Sequence, residues 1–212
     1  MWDFSTILQS LDYLGTFAFG LSGAMVAVRK QMDVFGVVVL ATVTAIGGGT
    51  VRDMILVKSP NFWLTDPTYL GLALIAGLVT FLAFHAVERG LATLIVFDAI
   101  GLGVFTIIGA WVAIQSDVCA IGVVALAVLT GVGGGIMRDI LAHETPIVLR
   151  EEVYASASIV GALALWLGIQ AGLTQDVVAP ISMALVIAIR LVSRRYRWRL
   201  PTPEHSQPKV EA

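Results

Sequence analysis

Ala45-Ile46-Gly47-Gly48-Gly49-Thr50-Val51-Arg52-Asp53 and Gly131-Val132-Gly133-Gly134-Gly135-Ile136-Met137-Arg138-Asp139 carry one pattern twice, 86 residues apart. Laid on itself at that offset, the chain needs no gap from Asp12 to Pro60, and 19 of those 49 positions are identical. Asp12 meets Asp98, Gly15 meets Gly101, Phe19 meets Phe105, and Gly23-Ala24 meets Gly109-Ala110. Gly36-Val37-Val38 meets Gly122-Val123-Val124, and Thr44 meets Thr130. Shared apolar composition supplies some of these identities, but not three glycines and an arginine–aspartate pair in register. The chain is an internal duplication.

The duplicated unit belongs in a membrane. Hydrophobic residues make up 58% of the 212 and charged residues 13%, with a mean hydropathy of +0.89. A soluble domain carries about a quarter charged residues, so too few charges are present here to cover a water-facing surface. A helix needs roughly 20 apolar residues to cross about 30 Å of hydrocarbon. Seven segments qualify, at about 4–28, 32–57, 68–87, 91–114, 118–142, 153–173 and 177–192. The predicted fold is an all-α integral membrane protein of seven transmembrane helices in one domain over 1–200. Repeat one covers about 4–88, repeat two about 91–173, and a closing helix about 177–199; 201–212, polar and proline-containing, reads as a disordered cytoplasmic tail. Three spans per repeat is an odd number, so the second copy must enter from the opposite side, the inverted-repeat plan of transporters and some channels.

Basic residues orient the bundle. With the N-terminus outside, the inside receives eleven arginines and lysines, from Arg29 to Lys209, and the outside only Arg52 and Lys58. The run Arg194-Arg195-Tyr196-Arg197-Trp198-Arg199 suits an inner-leaflet flank in contact with lipid. No basic residue precedes the first apolar stretch, so that stretch is expected to remain as a helix. The one cysteine, Cys119, excludes an intrachain disulfide and reads as a small buried thiol.

Two features point to a site. Gly47, Gly48, Gly49 and Gly133, Gly134, Gly135 lie in the second half of the second and fifth spans. Three consecutive glycines permit unwinding or a sharp kink, and matched interruptions in both halves predict helices broken around a polar path. The alternative is close helix packing through small residues. Carbonyls at a half-helix C-terminus suit a cation, which places Thr44 and Thr130 beside the path. Arg52-Asp53 and Arg138-Asp139 follow inside apolar sequence, where each charge costs roughly 2.5–3.5 kcal/mol. Helix neighbours do not face each other, so the expected partners are Asp12 with Arg52 and Asp98 with Arg138, leaving Asp53 and Asp139 to shape the path. Alternatively, all six charges only lock helices together.

The paired glycine-glycine-glycine-x-x-arginine-aspartate segments, in an inverted three-plus-three-plus-one arrangement, resemble the prokaryotic branch of the trimeric intracellular cation channels, a group also described as glycine transporters. The resemblance runs from about Asp12 to Val192. Arg150-Glu151-Glu152-Val153-Tyr154 is similar to the lysine-glutamate-x-x-tyrosine motif of that family, with arginine in place of lysine; Asp66-Pro67-Thr68-Tyr69 keeps only the tyrosine. The resemblance implies a homotrimer in a bacterial inner membrane. It also implies an ion path inside each protomer, between the two kinked helices, conducting monovalent cations and chiefly potassium.

A transporter of a small zwitterion such as glycine fits the same features, because a half-helix N-terminus holds a carboxylate as readily as its opposite end holds a cation. Enzyme chemistry finds no support. His85, His143 and His205 have no metal-ligand spacing, Cys119 has no cysteine partner, and Ser22 and Ser59 lie in no nucleophile elbow. The glycine runs lack the Lys-Ser or Lys-Thr of a phosphate loop. No catalytic residue, metal, cofactor or nucleic-acid partner is expected.

Overall fold

The computed structural model describes residues 4–83, 91–150, 153–196 and 198. Among them the chain is helix and short connections: α1 Phe4–Arg29, α2 Val34–Ile55, α3 Phe62–Thr65, α4 Thr68–Leu82, α5 Leu91–Ile114, α6 Ala120–Leu141, α7 Ile147–Arg150, α8 Ala155–Gln170 and α9 Gln175–Tyr196. Five of these, α1, α2, α5, α6 and α9, are long and apolar enough to cross a bilayer. α4 and α8 are apolar but have 15 and 16 residues, about 22–24 Å at the usual helical rise, where full spans were expected at 68–87 and 153–173. Several expectations lie outside the described residues: the corner at His85, Glu88 and Arg89, the Glu151-Glu152 segment, Arg197 and Arg199, and the tail.

The duplication extends to backbone geometry. α1, α2 and α4 pack on one another, as do α5, α6 and α8, and α9 lies against α5 and α8. α1 on α5 and α2 on α6 join the two halves. The turns repeat as well. Gln31 and Asp117 have φ of +57° and +53°, and Val57 and His143 have +53° and +56°. Each is the left-handed residue that turns the chain after a helix, a conformation strained for valine. One matched pair differs: Asp33 caps α2 by accepting from the Gly36 amide at 2.8 Å, whereas Cys119, at the same place before α6, makes no side-chain cap. Cys119 is exposed at that helix start. The buried thiol expected from its apolar surroundings is corrected by its position at a helix end.

The glycine triplets do not break their helices. α2 runs helical through Gly47, Gly48 and Gly49, and α6 through Gly133, Gly134 and Gly135. Close packing is the reason for the glycines. A Cβ on Gly48 would overlap the carbonyl oxygen of Thr130, and one on Gly134 would overlap that of Thr44. One on Gly133 would lie 3.1 Å from the Gly48 Cα. α2 and α6 thus touch backbone to backbone, as small residues allow in membranes. Thr44 meets Gly134 while Gly48 meets Thr130, so position advances along one helix as it recedes along the other: the crossing is antiparallel.

Candidate functional site

Past the crossing, the antiparallel run carries Arg52 and Arg138 to opposite ends of the α2–α6 seam. Each lies four residues beyond its crossing glycine, one helical turn. Both are buried, as are Asp53, Asp98 and Asp139; Arg138 has no exposed surface. Buried charges at this depth must face partners or a cavity, and the partners are well defined.

At the repeat-two end, Arg138 Nη1 donates to Asp98 Oδ1 at 2.6 Å and to Ser22 Oγ at 2.6 Å. Its Nε donates to Asp139 Oδ1 at 2.8 Å. One guanidinium therefore ties α6 to α5 and, through Ser22, to α1 of the other repeat. Asp139 also accepts from the Ile147 amide at 2.8 Å, fixing the loop that follows α6. α9 adds Arg190, whose Cζ lies 4.6 Å from the Tyr154 ring centroid, within the range of an attractive cation–π contact.

The repeat-one end uses the same residue types differently. Tyr69 Oη donates to Asp12 Oδ2 at 2.8 Å. Arg52 Nε and Nη2 reach Asp53 Oδ1 at 2.8 and 2.7 Å, and its Cζ lies 5.7 Å from the Phe62 ring centroid. Arg52 makes no ion pair with Asp12 among the described residues. Three sequence expectations are corrected here, the first being the Asp12–Arg52 pairing. Arg52 and Arg138 each bond the aspartate that follows, although neighbouring positions diverge around a helix. An arginine stem is long enough to bend back, and a desolvated guanidinium takes whichever carboxylate is within reach. Asp53 and Asp139 are accordingly bound to arginines, not left open toward a path. In the connection between α3 and α4, Asp66 Oδ2 accepts from the Tyr13 hydroxyl of α1 at 2.5 Å and its other oxygen from the Thr68 amide at 2.9 Å, which together hold the Asp66 carboxyl below its usual range.

Thr44 and Thr130 are fully buried and flank the crossing. Each hydroxyl bonds back along its own helix, to Leu40 O and Leu126 O at 2.6 Å. They therefore turn no hydroxyl toward the seam; what faces the opposing glycine is each threonine's backbone carbonyl.

Sequence reasoning gave Tyr69, Tyr154, Ser22 and Arg190 no place in the site. The signal for the tyrosines was present, since Tyr69 and Tyr154 match once the loop before them is shortened by one residue in the second copy. Ser22 is opposed by Ile108 at the repeat offset, a mismatch that gives only one of the two arginines a hydroxyl.

The family model described as Glycine transporter matches the chain twice, at residues 9–85 and 95–170, one match per repeat. A UPF0126 membrane protein of Deinococcus radiodurans is 43% identical over 92% of this chain and 91% of its own length. The UPF0126 inner membrane protein YadS of Escherichia coli K12 is 40% identical over 91% of this chain and 94% of its own. Among solved structures, a TRIC cation channel superposes with a TM-score of 0.87 at 34% identity, covering 94% of this chain and 98% of that one. The TRIC trimeric intracellular cation channel orthologue from Rhodobacter sphaeroides does so at 0.87 and 34%, covering 91% of this chain and all of its own. An all-helical membrane bundle, antiparallel repeats meeting at paired glycines and a likeness running through nearly the whole chain agree: this protein belongs to the trimeric intracellular cation (TRIC) channel family.

Proposed function

We propose that the chain is a cation channel of the bacterial inner membrane, chiefly permeable to potassium, with one ion path in each protomer of a homotrimer. The likeness to the solved cation channels across nearly the entire bundle carries this reading. The geometry fits it. The α2–α6 seam runs between two buried charged clusters, and at its middle the Thr44 and Thr130 carbonyls face glycine backbone across the crossing. A carbonyl already bonded within its helix keeps a second lone pair, so a seam opened at the glycines would present oxygens suited to a weakly hydrated cation. In the described conformation the backbones touch there, which is a shut state. The activity is conduction, not catalysis.

Purified protein in liposomes tests this reading. Currents reversing at the potassium equilibrium potential, or potassium-driven dye flux above that of empty vesicles, are expected; saturable glycine uptake with no such current would replace the channel by a transporter. That second reading is favoured by one observation, the description of the family model that matches both repeats.

The proposed topology has seven spans, with α4 and α8 crossing beside the five long helices, the N-terminus outside and the C-terminus in the cytoplasm. The connections after α2 and α6 then lie on opposite sides of the membrane. In a Cys119→Ser background, a cysteine at Pro60 should be labelled from the periplasm and one at Thr145 only from the cytoplasm. Labelling of both from one side is incompatible with the inverted arrangement.

A further inference from the structure

On its α1–α5 side, the crossing of α2 and α6 is covered by two phenylalanines. Phe19 and Phe105 occupy matched positions in the two repeats, are buried, and have ring centroids 5.2 Å apart. Each ring lies over a glycine of the facing helix. A Cβ on Gly101 would overlap the Phe19 ring, and one on Gly15 would lie 3.6 Å from Phe105 Cζ. Phe19 meeting Gly101 while Gly15 meets Phe105 makes α1 and α5 antiparallel, as α2 and α6 are. Seven residues separate Phe19 from Asp12 and Phe105 from Asp98, which is close to two turns on one helix face, or about 10 Å. The ring pair therefore stands midway between the two charged clusters. It also touches the crossing itself. A Cβ on Gly134 would lie 3.4 Å from Phe19 Cδ2 and would overlap the Thr44 carbonyl oxygen, so the ring edge and that carbonyl converge on one point. Val104 and Ile108 are buried in the same apolar cluster as the two rings.

We propose that Phe19 and Phe105 form the movable constriction of the ion path, closing it on the α1–α5 side of the crossing by covering the Thr44 carbonyl with apolar rings. An apolar constriction shuts a pore by excluding water from it. The backbones at the crossing yield only if whole helices move, whereas a ring turns about its side-chain bonds while its helix stays in place. With the rings withdrawn, the second lone pair of the Thr44 carbonyl faces the space they vacate, halfway between the buried aspartates. This inference rests on the channel reading and names the side chains that shut the channel.

The test uses the full chain in liposomes, in a Cys119→Ser background, with Phe19→Ala, Phe105→Ala, Phe19→Leu and Phe19→Cys. Losing the contact between the rings should raise potassium flux per folded protein by about tenfold in either alanine variant. Phe19→Leu keeps apolar bulk and should fall between alanine and wild type. In the Phe19→Cys variant, benzyl methanethiosulfonate attaches a phenyl ring through a disulfide and should return flux toward wild type, whereas the methyl reagent should not. Reading the same vesicles before and after the reagent makes this comparison independent of how much of the variant folds, and mass spectrometry counts the adduct. A ring pair that only fills a core predicts the opposite pattern. Alanine variants with wild-type or lower flux, a Phe19→Cys thiol that neither reagent reaches, or a benzyl adduct that conducts like the methyl one would each overturn the proposal. A conducting wild type with inert alanine variants removes the ring constriction alone; no potassium flux in wild type or any variant removes the channel reading and this inference with it.

Discussion

Gly48→Ala and Gly134→Ala are each expected to destabilise the protein by about 3 kcal/mol, at the upper end of what overpacking costs, and to collapse the α2–α6 crossing. The obstruction is unusually hard. The atom that a Cβ at either position would overlap is a backbone carbonyl oxygen on the facing helix, not the end of a side chain that could rotate away. Relief requires the helices to separate, which at once loses the contacts on both sides of the seam. Gly71, in α4, is the matched control, because a Cβ there meets nothing within 4 Å. Gly71→Ala should be neutral or gain up to about 1 kcal/mol from helix propensity. Thermal unfolding of the three variants in one detergent checks this. Gly48→Ala melting with wild type would mean that the backbones do not touch. Leucine at Gly48 or Gly134 should also suppress flux, because a seam wedged by a large side chain can neither close as observed nor present its carbonyls.

The duplicated architecture was legible because it rests on identity at a fixed offset, and the same offset reappears in the left-handed turns at Gln31 and Asp117 and at Val57 and His143. The glycines were legible as special but ambiguous in use. A triplet that loosens a helix and a triplet that admits another backbone look alike until the facing helix is placed, and Thr130 opposite Gly48 decides it for packing. Depth along a span gave the Asp98–Arg138 contact, since both residues occur near one end of adjacent helices. Depth could not give Tyr69 to Asp12: that bond joins residues 57 apart and depends on how α4 turns about its own axis. The arginine–aspartate neighbours show the limit of reasoning from Cβ directions, which describe short side chains better than a flexible arginine confined among apolar groups.

The asymmetry between the two ends should appear as a difference in coupling energy. Arg138→Gln leaves Asp98 and Asp139 buried without their guanidinium, and breaking a buried pair costs about 3–5 kcal/mol. Asp98→Asn removes one of three acceptors that Arg138 uses, Ser22 and Asp139 being the others. It should therefore cost less than the arginine change. Asp98→Asn with Arg138→Gln removes both charges, and the double variant should be more stable than the summed single effects by about 1–3 kcal/mol, the range for directly bonded groups. At the other end the same cycle, Asp12→Asn with Arg52→Gln, should show a smaller coupling than Asp98 with Arg138, because Arg52 bonds Asp53 and Asp12 bonds Tyr69. Coupling should instead emerge between Asp12→Asn and Tyr69→Phe, where a hydroxyl donates to a carboxylate, a bond worth about 1.5–3 kcal/mol. Unfolding in one detergent, with all variants at one salt concentration, measures the three cycles together. Strong Asp12–Arg52 coupling with none between Asp12 and Tyr69 would mean that repeat one holds its aspartate as repeat two does, and the two ends of the seam would then be alike.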